Sequence, residues 1–385
     1  MFKSMRWSRW GVLFLCCALA MMLAACGEGD DVNQVKVALS FPLGLTVGED
    51  MLHGAELALE EANYQAGDVT IEPLIANTSD PEGSPVSPEM EKAAAEAASQ
   101  DPEVVGYLGG ATSDQTGAAM LVLNEAGIVQ LSASATWPGL TKPGYKPGEP
   151  GIYYPTGRRN FFRVVPSDEM QGAAAARWAD QLGVQTAYIV DEGTAYGKGV
   201  AGIFKIAAED LDINILSHVS FDSASVTDED LADIAAEVVE QNPDLLYYGG
   251  SYATATSGAV GSAGGNLISK VKTMAPEIKI MGPDALVQDE LIEEFGADLV
   301  QGVYGTNVAV PATQLDSAAD FVAKYQERCG KEPPPYASGG YEAMKVILTA
   351  IEEAKQPTRE GLLEALKNLG TYEGVLGEWQ FDERG

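Results

Sequence analysis

Short strand-like runs alternate with longer segments of helical periodicity along most of the chain. Residues 35–41 alternate in polarity and then meet Pro-Leu-Gly, which is typical of a strand that ends in a loop. In residues 48–63 the apolar positions Leu52, Ala55 and Leu59 recur at a spacing of three or four, as on one face of a helix. The alternation continues, with further strands predicted at 69–75, 104–110, 128–134, 186–192, 213–221, 245–250 and 278–283. It predicts an α/β fold with parallel sheets that are covered by helices on both faces.

These predicted units are too numerous for one sheet. A Pro/Gly/Tyr-rich segment at 142–160 is followed by "PSDEMQG", where the pattern restarts, so we predict a domain change near Ser167. A second change near Asn307 would return the chain to the first domain. The prediction is two Rossmann-like lobes joined by a hinge of several strand-like crossings, with 35–166 plus 308–385 as lobe 1 and 167–307 as lobe 2. Ligands of open α/β sheets bind beyond the carboxyl ends of the strands, which here is the cleft between the lobes.

The N-terminus predicts export. Three basic residues precede 16 uncharged ones at 10–25, fewer than the ~20 that span a bilayer, and small residues follow in "LAAC". This pattern favours a signal peptide at 1–25 and resembles a bacterial lipobox, in which Cys26 would be lipidated and 26–34 would form a tether. The alternative is an uncleaved membrane anchor. We expect the mature chain to be held by its lipid on the outer side of the cytoplasmic membrane.

The net charge of the sequence restricts the kinds of molecule that the protein can bind. Loss of the signal would remove three of the 24 basic residues and leave 21 against 56 acidic ones, a net charge of −35. A surface of this sign repels nucleic acid and anionic lipid headgroups, so we expect no nucleic-acid partner. Cys329 would be the remaining thiol after processing, so no intramolecular disulfide can form.

Two loops in predicted lobe 1 have the chemistry of a small polar-ligand site. "GGATSDQTG" follows a strand and opens a helix, whose free amide groups favour an anion, although Ser113 and Thr116 are equally good candidates for helix caps. The next strand ends in "SASAT", where tiny side chains let the backbone of Ser134 and Thr136 approach a ligand. Carbonyl oxygens in such a loop suit an ammonium group.

Predicted lobe 2 offers aromatic hydroxyls and one acid after its strands. Tyr196 follows one strand, Ser251 and Tyr252 follow another, and Asp284 follows "IMGP". A tyrosine at a cleft can cover the apolar part of a ligand while its hydroxyl stays wet. Core packing for each tyrosine and a helix cap for Asp284 are the alternatives.

The order and spacing of several segments resemble the leucine/isoleucine/valine-binding proteins of ABC importers, which have the type I periplasmic binding fold. The resemblance covers residues 35–385 and is carried by "GAELALEEAN", "GYLGGATSDQTGAA", "EAGIVQLSASATWPGLT", "DEGTAYGKG", "LLYYGG" and "IMGPDAL".

The resemblance implies a role for each candidate residue. It places the carboxylate of an amino acid at Ser113 and its ammonium at Ser134, Thr136 and Asp284, with Tyr196 closing over the ligand. A further aromatic position of the family falls on Ser251, with Tyr252 beside it.

Three features of this chain depart from the resemblance. The family has an aromatic residue in its first loop where this chain has Val47, so we expect that wall of the pocket to differ from the family's. The segment 142–160 is longer than the family pattern and would form a surface flap or an importer docking site. The chain ends at "GEWQFDERG", about where a third crossing and a last strand would be expected.

Enzymatic motifs are weak or absent in the sequence. Neither HExxH, CxxC nor GxSxG occurs, and the two histidines, His53 and His218, lie far apart. "GKGVAG" at 197–202 matches GxGxxG but begins too late after its strand for a dinucleotide site. We therefore predict a binding protein that has no catalytic residues, cofactor or metal.

The predicted function is capture of an amino acid, branched-chain or related, as a monomer and its delivery to ABC permease subunits. The alternatives are the same fold binding an amide, urea or aromatic acid, a sensory ligand-binding domain, and an exported hydrolase or dehydrogenase.

Overall fold

The computed structural model describes residues 34–79, 86–252, 262–286, 289–308 and 310–385, without the side chains of 289 and 290. The predicted signal peptide and the predicted lipidation site Cys26 lie outside these residues. No helix in the described ranges is long and apolar enough to cross a bilayer.

A first sheet of six strands occupies the N-terminal part. Its order is β2-β3-β1-β4-β5-β6, and every pairing is parallel except the short antiparallel contact of β2 with β3. The strands are β1 Gln34–Phe41, β2 Gln65–Ala66, β3 Val69–Asn77, β4 Val104–Gly109, β5 Val129–Ser132 and β6 Phe161–Arg163. Between them run helices α1 Thr46–Glu61, α2 Pro88–Gln100 and α3 Ser113–Ala126.

A second sheet of five parallel strands follows, in the order β11-β10-β9-β7-β8. Its strands are β7 Thr186–Asp191, β8 Asn214–Ser220, β9 Leu245–Gly249, β10 Lys279–Gly282 and β11 Val303–Gly305. Helix α4 Asp168–Gln181 precedes it, and α5 Ala195–Glu209, α6 Asp228–Gln241, α7 Ala263–Met274 and α8 Asp289–Phe295 connect its strands. The prediction of an α/β fold with parallel sheets is confirmed.

The C-terminal elements return to the first sheet. Helices α9 Ala319–Cys329, α10 Pro335–Glu353 and α11 Arg359–Lys367 precede a hairpin of β12 Thr371–Gly374 and β13 Gly377–Gln380. Buried side chains of α10 and α11 share one apolar cluster with β1, α1 and β5. Helices α1 and α10 cross at two glycines. A Cβ added to Gly54 of α1 would lie 2.0 Å from the Ala337 carbonyl oxygen of α10, and a Cβ added to Gly340 of α10 would lie 2.2 Å from the Met51 carbonyl oxygen of α1. This close crossing sets the position of the first turn of α10.

Capping residues fix where two helices beside the strand ends begin. Helix α3 begins at Ser113 because Thr112 accepts a hydrogen bond from the Gln115 amide and Gln115 returns one, a capping box. Helix α5 begins at Ala195 because the Thr194 hydroxyl accepts from the Gly197 amide. The alternative, that Ser113 or Thr116 caps α3, does not hold, since Thr112 occupies that position and the Thr116 hydroxyl donates to the Gly110 carbonyl.

Candidate functional site

The carboxylate of Asp284 is the centre of a hydrogen-bonded cluster at the carboxyl end of β10. It accepts hydrogen bonds from the side-chain amide of Gln171 at 2.8 Å, from the Tyr196 hydroxyl at 2.9 Å and from the Tyr336 hydroxyl at 2.8 Å. Asp284 is 8% exposed, so these charge-assisted bonds compensate for the loss of water around a buried anion. Gln171 and Tyr196 belong to helices of the second sheet, whereas Tyr336 belongs to α10 on the first sheet.

Local sequence explains why these donors converge. Tyr196 and Gln171 lie in the first turns of α5 and α4. Tyr336 lies in the first turn of α10, behind a run of prolines in which Pro335 takes the first helical position, where its missing N–H costs nothing. Each donor is therefore presented by a helix N-terminus, and the three N-termini meet at the end of β10.

A second carboxylate, that of Asp168, lies in the same environment. Its side chain is fully buried, and neither of its oxygens has a hydrogen-bond partner among the described residues. Burial and, to a smaller extent, the nearby charge of Asp284 raise the pKa of Asp168 to about 8, although the Thr136 hydroxyl and Arg163 act in the opposite direction. The Asp168 amide donates to the Thr136 carbonyl at 3.0 Å, which ties the start of α4 to the loop after β5.

The "SASAT" loop after β5 is built from its own backbone contacts. The Ser132 hydroxyl accepts from the amides of Ser134 at 3.3 Å and Ala135 at 3.0 Å, which turns the chain sharply. The Ser134 hydroxyl donates to the Ala111 carbonyl at 2.7 Å. Helix α10 passes so close that a Cβ at Gly339 would lie 2.8 Å from the Ala133 carbonyl. The small residues therefore serve the close approach of α10 as well as any access of a ligand to the backbone.

Ser113 and Thr136 meet at this loop. The Ser113 hydroxyl accepts from the Trp137 amide at 3.1 Å, and the buried Thr136 hydroxyl has no hydrogen-bond partner within the described ranges. Hydrogen bonds thus lead from Ser113 to Trp137 and from the neighbouring Thr136 to Asp168, whose pKa the charge of Asp284 raises. The structure brings together Ser113, Thr136, Tyr196 and Asp284, with Ser134 on the same loop.

The other two predicted residues face different neighbours. The Ser251 amide donates to the Glu192 carboxylate at 2.8 Å. Tyr252 packs in the apolar core of the second sheet, and its hydroxyl donates to Glu294 of α8. The Tyr252 amide donates to the carbonyl of Ala285, the residue after Asp284, at 2.8 Å, while the ring itself is part of the core.

Two contacts join the first-sheet and second-sheet sides next to this cluster. The Asp114 carboxylate accepts from the Ala195 amide at 2.9 Å, at the N-terminus of α5. Trp137 packs on the same helix at Gly199, where an added Cβ would lie 2.1 Å from the indole ring. The first turn of α3 and the loop after β5 are therefore pressed against α5.

The long 142–160 segment holds the Trp137 indole in place through Glu149. Glu149 is buried and accepts from the indole N–H at 2.9 Å, from the Tyr153 hydroxyl at 2.8 Å and from the Lys146 amide at 3.0 Å. Lys142 and the Tyr145 hydroxyl both contact Glu169 of α4. The segment is thus fastened to the site at both Trp137 and α4.

The cluster leaves little space in this conformation. A cavity of about 10 Å³ adjoins it, lined in part by Ala133, Asn307 and Tyr336. That volume holds about one water molecule. The described side chains around Asp284 are therefore closely packed in this conformation.

Two signals of catalysis in the sequence, the histidines and the GxGxxG match, can be checked against the described residues. His218 contacts Asp191 at 2.8 Å, but the Ser220 hydroxyl also donates to Asp191, so serine and histidine do not form a nucleophile–base pair. The "GKGVAG" match at 197–202 lies inside α5 rather than in a loop before a helix, which contradicts a dinucleotide site. No group of three potential metal ligands occurs among the described residues.

Comparison with known proteins agrees with this geometry. The periplasmic binding protein family model matches residues 37–385. The chain belongs to the periplasmic binding protein family. The Leu/Ile/Val-binding protein homolog 1 of Brucella melitensis is 26% identical over 377 residues, which are 97% of this chain and 92% of that protein.

Solved structures support the fold. The leucine-binding protein LivK of Thermotoga maritima superposes with a TM-score of 0.77 at 24% identity, covering 91% of this chain and 92% of that one. The Streptococcus pneumoniae protein LivJ in complex with isoleucine superposes with a TM-score of 0.75 at 21% identity, covering 91% of this chain and 92% of LivJ. Likeness at these identities establishes a shared type I periplasmic binding fold.

Sequence reasoning missed Asp168, Gln171 and Tyr336. The first two lie in "PSDEMQG", which the sequence pattern marked as a domain change but not as a site. Tyr336 follows three prolines, a strong signal for a helix N-terminus. A search for polar residues in the first turn of each predicted helix would have identified all three.

Proposed function

We propose that this protein is the extracytoplasmic solute-binding subunit of an ABC importer, which captures an amino acid, branched-chain or related, and delivers it to the permease subunits. It acts by binding rather than by catalysis. The observation that carries the proposal is the Asp284 cluster, in which a buried acid is held by donors from both sheets beside the Ser113–Thr136 loop. The names of relatives that bind leucine, isoleucine and valine support the choice of ligand.

The ligand's two charges fit the two sides of the site. Its carboxylate lies at the N-terminus of α3 near Ser113, where helix amides and the positive end of the dipole favour an anion. Its ammonium lies against Thr136, Ser134 and Asp284, and Tyr196 covers the apolar side chain. Micromolar affinity needs about 8 kcal/mol, which a few charge-assisted hydrogen bonds in a closed cleft can supply.

Transport requires the site to open and close. We propose that 35–166 with 308–385 and 167–307 are the two lobes and that the crossings near 166 and 307 are the hinge. In the empty closed form Tyr196 and Tyr336 bind Asp284 across the lobes, and in the loaded form the ammonium takes part of that role. The protein works as a monomer anchored by a lipid on Cys26.

Isothermal titration calorimetry against a panel of amino acids, amides, urea and aromatic acids tests the proposal. We expect the tightest binding from an aliphatic amino acid, and an Asp284→Ala variant that binds it at least about tenfold more weakly, since a bond to a charged group contributes about 1.5–3 kcal/mol. Asp298→Ala, which changes an exposed aspartate, should bind as wild type does. A panel in which only amides, urea or aromatic acids bind would overturn the amino-acid assignment.

A further inference from the structure

One hydrogen bond beside the Asp284 cluster links the first-sheet side directly to the backbone of the second-sheet side. The carboxylate of Asp114, which is partly buried, accepts from the Ala195 amide at 2.9 Å. Asp114 lies in the first turn of α3, and Ala195 is the first residue of α5. The bond joins two groups of the protein that are 81 positions apart in the chain.

The N-terminus of α5 depends on this bond for one of its partners. The first amide groups of a helix have no carbonyl partner within the helix, and they carry partial positive charge. In α5 the Thr194 hydroxyl accepts from the Gly197 amide, and the Asp114 carboxylate accepts from the Ala195 amide. The helix is therefore capped in part by its own segment of chain and in part by a residue of the first-sheet side.

The Asp114 carboxylate lies next to two helix N-termini. It belongs to the first turn of α3 and contacts the first turn of α5, so the positive ends of both helices lie beside its charge. Lys146 of the 142–160 segment and Lys198 of α5 add positive charge. Burial raises the pKa of Asp114, while the Ala195 amide and the two lysines act in the opposite direction. Without this anion, the first turns of α3 and α5 would meet with like partial charges.

We propose that Asp114 is a latch residue, which holds the first turns of α3 and α5 together and so positions the two sides of the site around the ligand. The inference rests on the proposed function, in which the lobes open and close. A latch sets the fraction of the protein in the binding-competent conformation, and the apparent dissociation constant is the intrinsic one divided by that fraction. Because Asp114 acts through α5 rather than on the ligand, its removal weakens the binding of every ligand by the same factor.

The test compares wild type with Asp114→Ala, Asp114→Asn and Asp244→Ala by calorimetry, with L-leucine, L-valine and L-alanine as probes. Asp114→Ala removes both the charge and the acceptor, whereas Asp114→Asn keeps the size of the side chain and one acceptor oxygen. Asp244 is the matched control, because its carboxylate accepts from the amides of Gln185 and Thr186 at 2.9 Å on the second-sheet side alone. Small-angle X-ray scattering of the ligand-free proteins measures how far the two sides separate.

We expect Asp114→Ala to bind each amino acid that wild type binds at least about tenfold more weakly, by one common factor, because a bond to a charged group is lost. The affinities of Asp114→Asn should lie between those of wild type and Asp114→Ala, and Asp244→Ala should bind as wild type does. Ligand-free Asp114→Ala should have a larger radius of gyration than either wild type or Asp244→Ala. If Asp114→Ala does not fold, Asp114→Asn carries the same comparison.

Unchanged affinities in the Asp114 variants would overturn the latch but leave the proposed function intact. Tighter binding would also overturn it, because it would show that Asp114 repels the carboxylate of the ligand. A loss that differs from one amino acid to the next would place Asp114 in contact with the ligand side chain instead. A wild-type protein that binds none of the three amino acids would overturn the proposed function, and equal radii of gyration in wild type and Asp114→Ala would then overturn the latch as well.

Discussion

Trp137 packs against Gly199 with no room for a side chain between them. The loop that carries Trp137 follows β5 of the first sheet, whereas Gly199 lies in α5 of the second sheet. An added Cβ at Gly199 would lie 2.1 Å from the indole, far inside van der Waals contact, and the indole is held in place by Glu149. The absence of a side chain at Gly199 is therefore a condition for the closed conformation.

A Gly199→Ala variant tests this relationship. We expect it to fold normally but to bind its amino acid at least about tenfold more weakly, because overpacking of this kind costs about 1–3 kcal/mol in the closed form alone. Gly202→Ala is the matched control, since it lies on the same helix and its Cβ would meet no atom within 4 Å. Calorimetry measures the affinity and thermal unfolding checks the fold. Equal affinities for the two variants would show that the Trp137–Gly199 contact does not limit closure.

The Tyr336 hydroxyl is expected to stabilise the closed form through Asp284. Tyr336→Phe removes a donor to a buried carboxylate, and we expect the loaded form to keep this bond, so ligand affinity should fall by about threefold to thirtyfold, in line with 0.5–2 kcal/mol for such a bond. Tyr247→Phe is the control, because that hydroxyl is buried without a partner among the described residues. Loss of affinity in Tyr247→Phe but not in Tyr336→Phe would contradict this assignment.

Affinity for an amino acid should rise with pH up to about 8. In the empty site burial and the charge of Asp284 raise the pKa of Asp168 to about 8, so the carboxyl is protonated at neutral pH. An ammonium ion favours the ionised form, so binding below that pH releases a proton. We expect the dissociation constant to fall by up to about tenfold per pH unit between pH 6 and 8 and to level off above it.

Calorimetry of leucine binding in buffers of different ionisation enthalpy counts the released protons directly. Wild type should release up to one proton per ligand at pH 6 to 7, and Asp168→Asn should release fewer. Proton release that is the same in wild type and in Asp168→Asn would assign the linkage to another group.

What could be predicted from the sequence was mostly local. The spacing of Leu52, Ala55 and Leu59 determined the apolar face of α1, because the period of a helix depends only on neighbouring residues. The apolar pattern did not give the start of α5, because that start depends on Thr194, whose hydroxyl accepts a hydrogen bond from the Gly197 amide. Tyr196 and Asp284 were recognised because each follows a strand, and the ends of parallel strands share one edge of a sheet.

The sequence by itself determined the alternation of strands and helices, the acidic charge and the loops that carry Ser113, Thr136 and Asp284. Only the tertiary structure decided that Tyr336, from a helix on the first sheet, bonds to Asp284 and that Asp168 is buried where the charge of Asp284 raises its pKa. These relations join residues far apart in the chain. They depend on how α1 and α10 cross at Gly54 and Gly340 and on where α4 and α5 begin, which is settled by packing rather than by the pattern of any one segment.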